Sequence, residues 1–347
     1  MSIQQLFGIQ LPIIQAPMAG VQDHVLAAAV SNAGGLGSLP CAMLTPESLR
    51  HELKSLKELT SRPFNVNFFC HTQPIPDAAK AAAWRAILAP YYAELGVDAS
   101  AIQTGPTRAP FSAEAADVLA EFKPAVVSFH FGLPAHDLLS KVRAMGSKII
   151  ASATTVAEAR WLEERGVDAI IAQGFEAGGH RGIFLSEDLT TQLGTLALVP
   201  QTVQAVKVPV IAAGGIADAQ GVAAAMALGA AGAQIGTAYL LCPESTTGPV
   251  HRAALKSESA NHTAITNLFS GRPARGIVNR IMRELGPING AVPSFPLATS
   301  SIATLRAKAE FGGSGDFSSL WAGQNITGCR EIEASTLTRE LASMVAL

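Results

Sequence analysis

Ala169-Ile170-Ile171-Ala172-Gln173-Gly174-Phe175-Glu176-Ala177-Gly178-Gly179-His180-Arg181-Gly182 joins two kinds of sequence without a break. Its first five residues, entered from Asp168, read as a buried strand, a short apolar run bounded by turn residues. The rest reads as a loop, with Glu176, His180 and Arg181 set among Gly174, Gly178, Gly179 and Gly182. Glycine permits tight backbone geometry and close approach to a ligand. Loops at the ends of parallel strands are where such sheets carry their chemistry. The plainer alternative is a surface turn that happens to hold charges. Glycines crowding three functional side chains weigh against it.

Working outward, similar strand-like runs occupy residues 13–18, 35–39, 64–69, 125–130, 147–154, 169–173, 208–213 and 233–236. Alanine-rich helical stretches separate them, for example residues 23–33, 155–165 and 217–228. Alternation of strand and helix is the mark of parallel βαβ units. Eight such units predict a closed (β/α)8 TIM barrel, with an open doubly wound sheet as the alternative. Two stretches break the rhythm. The interval between Phe69 and Ala125 is long and holds the aromatic and proline-bearing segments 84–92 and 105–111. It reads as an insertion over the barrel mouth. After Leu240 the repeat stops, and a more polar, helical tail follows. The expected division is a barrel of residues 1–70 and 117–250, with an α-rich lid or substrate-binding region of residues 71–116 and 251–347.

Composition narrows the function. Of 347 residues, 48% are hydrophobic and 15% charged, which predicts a large aliphatic core. A net charge of −2 offers no bulk attraction to nucleic acid or acidic membranes. Cys41, Cys70, Cys242 and Cys329 are too far apart for a CxxC pair or a zinc-ligand spacing, so no metal is expected. Free thiols fit a reducing cytoplasm. The first residues lack a basic region followed by an apolar stretch, and no apolar run is long enough to span a membrane. A cytoplasmic protein, monomeric or homodimeric, is the expectation.

Two late strand ends carry glycine: Ala213-Gly214-Gly215-Ile216 and Gln234-Ile235-Gly236-Thr237. In such barrels the loops after strands seven and eight often bind phosphate through backbone N–H groups. Neither GxGxxG after the first strand nor GxxxxGK[ST] is present, so a Rossmann site or P-loop is not expected. A phosphate site without a metal cluster points to a phosphorylated cofactor or a phosphosugar. His130 closes the fourth strand on the same rim as His180. Histidine can serve as a base near neutral pH or polarise an anionic substrate, although a lone histidine beside aromatics is also a common core residue. Asn65 and Asn67 share one face of the third strand by two-residue alternation. Gln15 and Gln173 are similar amides on the first and sixth strands.

Together, residues 15–20, 64–69, 130–132 and 173–182 resemble the nitronate monooxygenases, formerly called 2-nitropropane dioxygenases. Residues 209–216, 234–237, 270–275 and 321–324 extend that resemblance nearly end to end. Glycine-rich strand ends are shared with other FMN barrels, including flavin enoyl reductases and the IMP dehydrogenase group. Segment 176–182 combined with His130-Phe131-Gly132 and Trp321-Ala322-Gly323-Gln324 marks the class I type. The resemblance implies FMN at the barrel mouth, its phosphate on Gly214, Gly215, Gln234, Ile235, Gly236 and Thr237. Its ring would meet Met18, Asn67, Gln173 and Gly178. It implies oxidation of alkyl nitronates such as propionate 3-nitronate by O2, giving a carbonyl compound and nitrite through a flavin semiquinone. His180 matches the family's active-site histidine and His130 its second one, facing substrate.

The tail departs from the family pattern. Phe295 stands where relatives carry a tyrosine, and Lys308 is the match proposed for their substrate-binding lysine. This touches the preferred substrate more than the reaction. An NAD(P)H-dependent FMN reductase of quinones or enoyl thioesters is the rival reading, and a flavin-binding protein without turnover is a second. Glu176 and Arg181 are expected to pair and hold the loop.

Overall fold

Eight parallel strands frame the molecule: β1 (Ile13–Gln15), β2 (Gly37–Pro40), β3 (Phe64–Phe69), β4 (Val126–His130), β5 (Lys148–Ala153), β6 (Ala169–Gln173), β8 (Val210–Ala213) and β9 (Gly232–Ile235). Their hydrogen-bonded order is β1-β9-β8-β6-β5-β4-β3-β2. A parallel bridge between Ile14 and Leu36 closes the seam between β1 and β2. This is the expected TIM barrel, in a computed structural model that describes residues 2–98, 102 and 108–345. Residues 105–107 of the proline-bearing segment lie outside the described set.

Between strands run α2 (His24–Asn32), α3 (Pro46–Leu59), α5 (Ala113–Phe122), α6 (His136–Ala144), α7 (Val156–Glu164), α8 (Thr195–Ala205) and α9 (Ala219–Ala227), while α1 (Ile3–Phe7) precedes β1. Local sequence explains them. The Thr45 side chain caps α3, Pro46 opens it, and Leu49, Leu53 and Leu56 bury one face. Strand register then arranges the mouth. It sets Asn67 beside Ser128 and Phe69 beside His130. On the other side Gln173 pairs with Ala213, and Ala213 with Gln234. No described helix is long and apolar enough to cross a membrane.

A second sheet lies outside the barrel. The strand β7 (Gly179–His180) pairs antiparallel with β11 (Ala274–Ile277), which pairs with β10 (Thr263–Thr266). His180 therefore lies in a short strand rather than in the loop expected. A two-residue strand has no periodicity to read, and its partner lies far along the chain.

The insertion contributes α4 (Ala78–Leu95), and the tail contributes α10 (Pro249–Leu255), α11 (Arg280–Leu285), α12 (Ala298–Phe311) and α13 (Ala334–Leu341). Trp84, Leu88 and Tyr92 of α4 pack with Ile302 and Leu305 of α12 and Ile281 of α11 in one apolar cluster. The Tyr92 hydroxyl donates to the Ser301 carbonyl at 2.7 Å. The last helix goes elsewhere. Leu337 and Leu341 of α13 join Ile13, Leu26 and Val30 against the barrel.

Candidate active site

One cavity opens at the C-terminal ends of the strands, with about 1350 Å³ of empty space including its mouth. Met18, Asn67, His130, Gln173, Gly178, His180, Gly214, Gly215, Gln234, Gly236 and Thr237 all line it. Two expected residues do not. Ile235 alternates away from the mouth and packs with Ile13 and Leu26. Lys308 lies on the exposed face of α12, because Leu305 and Ala309 take the buried face.

His180 is half-buried in an aromatic ring of walls. Phe295 lies 5.4 Å away, Trp321 5.6 Å and Phe131 6.0 Å between centroids. Burial, followed by the nearby Arg108 charge, pushes its pKa well below the usual histidine value. It is therefore neutral at pH 7. Nε2 lies 2.9 Å from Ser270 Oγ, and that hydroxyl donates to the Arg272 carbonyl at 3.3 Å. With the serine proton on the carbonyl, Ser270 Oγ accepts from His180 Nε2–H. Nδ1 then carries the lone pair that a base needs.

His130 plays a different part from the one expected. Nε2 lies 3.2 Å from the His180 carbonyl and Nδ1 3.0 Å from Ser152 Oγ. A carbonyl only accepts, so Nε2 carries the proton and Ser152 donates to Nδ1. Burial holds its pKa down at about 3. Both nitrogens are engaged, so His130 positions the β7 backbone and has neither a spare proton nor a lone pair for substrate. Gln173 helps: its Nε2 donates to the same carbonyl at 3.0 Å, and its Oε1 accepts from Gly182 N at 2.7 Å.

Glu176 and Arg181 hold the loop without pairing to each other. Buried Arg181 donates to the carbonyls of Gly174 and Gln173 at 2.7 and 2.8 Å and to Gln192 Oε1. Glu176 instead accepts from the Thr195 amide and hydroxyl at 2.8 Å each. The guanidinium satisfies carbonyls that the departing chain leaves open at the end of β6.

Sequence reasoning missed Arg108 and His251. Arg108 enters the cavity from the insertion, its guanidinium 5.8 Å from the Phe295 ring centroid and bonded to Thr299 Oγ1 at 3.1 Å. No Asp or Glu is among the described lining residues, so those residues favour an anion. A lone arginine inside an irregular insertion gives no signal in sequence. Arg272 stacks 4.0 Å from the ring centroid of Phe131, a residue held at φ +70° just after His130.

The lining fits a phosphorylated flavin. Gly214 and Gly215 take φ +112° and +72°, a left-handed turn open to glycine, and present backbone alone to the cavity. Gln234 Oε1 is buried on the wall without a partner among the described residues, as an atom that a ligand completes would be. Asn67 Nδ2 is committed to Ser128 Oγ at 2.9 Å, which leaves its carbonyl oxygen to accept.

Known proteins resemble this chain along nearly its whole length. The family model for nitronate monooxygenase matches residues 2–343. A nitronate monooxygenase of Pseudomonas aeruginosa is 43% identical over 97% of each chain. One from Paraburkholderia phytofirmans is 43% identical over 97% of this chain and 92% of its own. Among solved structures, a nitroalkane oxidase from Streptomyces ansochromogenes superposes with a TM-score of 0.89 at 38% identity, covering 99% of this chain and 98% of its own. FabK from Thermotoga maritima follows with a TM-score of 0.71 at 27% identity, covering 99% and 96%. The chain belongs to the nitronate monooxygenase family of enzymes.

Proposed function

We propose that this enzyme uses FMN in the cavity to oxidise alkyl nitronates with O2, releasing a carbonyl compound and nitrite. The observation that carries the reading is a cavity whose described lining holds no carboxylate and brings together Arg108, a neutral His180 and the Gly214-Gly215 turn. A nitronate is already a carbanion equivalent, so placing it against the cofactor does much of the work. When bound, FMN supplies an electron acceptor that O2 regenerates. Arg108 attracts the anion, and the rings of Phe69 and Trp321 on the cavity wall exclude water around it. His180 Nδ1 accepts a hydrogen bond from a protonated substrate, or takes the α-proton when the substrate is a neutral nitroalkane.

The test is an anaerobic mixing experiment on the FMN-loaded protein. Propionate 3-nitronate is expected to reduce the flavin rapidly, and NADPH to leave its spectrum unchanged. Bleaching by NADPH without nitronate reduction would replace this reading with the NAD(P)H-dependent reductase.

A further inference from the structure

Among the described residues, only two that line the cavity carry a buried polar atom with no hydrogen-bond partner: Gln234, through Oε1, and His251, through Nε2. Native interiors rarely leave such atoms unpaired unless water, an ion or a ligand completes them. Gln234 stands at a strand end already read as cofactor-facing. His251 belongs to no motif, stands on α10 in the tail and is 8% exposed. It lies four residues before Leu255, on the same face of the helix. Leu255 joins Leu240 and Leu241 in a cluster against which Met18 packs. That face of α10 therefore backs the wall carrying Met18.

The chemistry of the ring can be assigned. The Trp321 backbone favours a proton on the imidazole, as a carbonyl facing a ring N–H does, and Nε2 has no partner among the described residues, so the proton is assigned to Nδ1. Burial keeps the ring neutral, its pKa lowered to about 4. Nε2 then presents a lone pair to the cavity and requires a donor.

We propose that His251 is a ligand of the bound flavin and accepts a hydrogen bond from it through Nε2, an inference that rests on the FMN reading above. FMN offers two kinds of donor, the ring N3–H and the hydroxyls of its ribityl chain. Riboflavin retains both, and lumiflavin retains the ring donor alone.

The experiment titrates apoprotein with each of the three flavins, followed by quenching of flavin fluorescence, and records the apoprotein melting temperature. His251→Phe is expected to weaken FMN binding about tenfold without lowering that melting temperature, since it removes an orphaned polar atom. His251→Gln, whose amide oxygen can accept, is expected to stay within about threefold of wild type. An equal loss for lumiflavin assigns the donor to N3–H; a loss confined to FMN and riboflavin assigns it to a ribityl hydroxyl. Wild-type FMN affinity in His251→Phe overturns the inference alone and leaves a buried water as the partner of Nε2. A loss that comes with a lower melting temperature and is not recovered in His251→Gln also overturns it, making His251 a support for Trp321. A wild-type apoprotein that takes up no FMN overturns the flavin reading and this inference together.

Discussion

Two histidines that look alike in sequence do different work because their nitrogens are spent differently. His130 has both occupied, whereas His180 keeps Nδ1 free of any partner among the described residues. His180→Asn is therefore expected to retain FMN but to lose at least about 100-fold in kcat/KM on neutral nitroalkanes, with a smaller loss on preformed nitronates. Oxygen-consumption kinetics on both substrate forms check this; equal losses on both would remove proton transfer from its role. The depressed pKa sets the pH profile. The neutral, base-competent form persists as pH falls below 6.5, and activity on nitroalkanes declines only as pH drops through the lowered value. Arg108→Met is expected to raise KM for nitronates about tenfold or more, the effect of losing a charged partner. Exposed Lys308→Ala should leave KM within twofold. The glycines, amides and histidines of the rim were legible because they sit at strand ends of regular spacing. Arg108 was not, since its position depends on how the insertion folds over the mouth. Lys308 misled for the opposite reason: a helix face cannot be oriented by register without the partner it packs on.

At the scale of elements, the barrel strands announced themselves by apolar runs between alanine-rich helices, and each appears in the structure within a few residues of its expected bounds. The second sheet did not. β7 exists because Arg275 and Ala274 of β11 offer a pairing edge to Gly179 and His180, a relation invisible to local periodicity. That docking is tight at Gly178. A Cβ there would lie 2.6 Å from Ala322 C and Gly323 N, both backbone atoms. Gly178→Ala is expected to push β7 off the 322–323 segment, weakening FMN binding at least tenfold and lowering the melting temperature. A variant that binds FMN normally would show that the two segments can separate without cost. Arg181 anchors the other end of the same turn. Arg181→Lys keeps the charge but loses the planar fork on Gln173 and Gly174. We expect it to cost about 2 kcal/mol of stability, read by denaturant unfolding.

For the whole molecule, the neutral histidines make acid a destabilising agent from just below neutral pH. His71 and His251 are held at about 4 and His130 at about 3, each chiefly by burial. Below pH 6.5 the unfolded chain binds protons that the folded chain refuses, so stability falls as pH falls from about 6.5 towards 4. Thermal melts across that range should show the decline. His71→Phe should flatten part of it, because His71 is buried beside Phe295 and neither ring nitrogen has a hydrogen-bond partner among the described residues.

The path of α13 gives the chain a timetable. Its Leu337 and Leu341 seat against Ile13, Leu26 and Val30 beside the seam between β1 and β2. The Tyr239 and Thr338 hydroxyls meet there at 2.9 Å, tying the end of the last barrel unit to the same strap. During synthesis α13 leaves the ribosome after every strand it covers. The nascent barrel thus keeps an apolar flank bare until residues 334–341 have emerged, and a chain cut before residue 334 is expected to leave Ile13, Leu26 and Val30 without that cover.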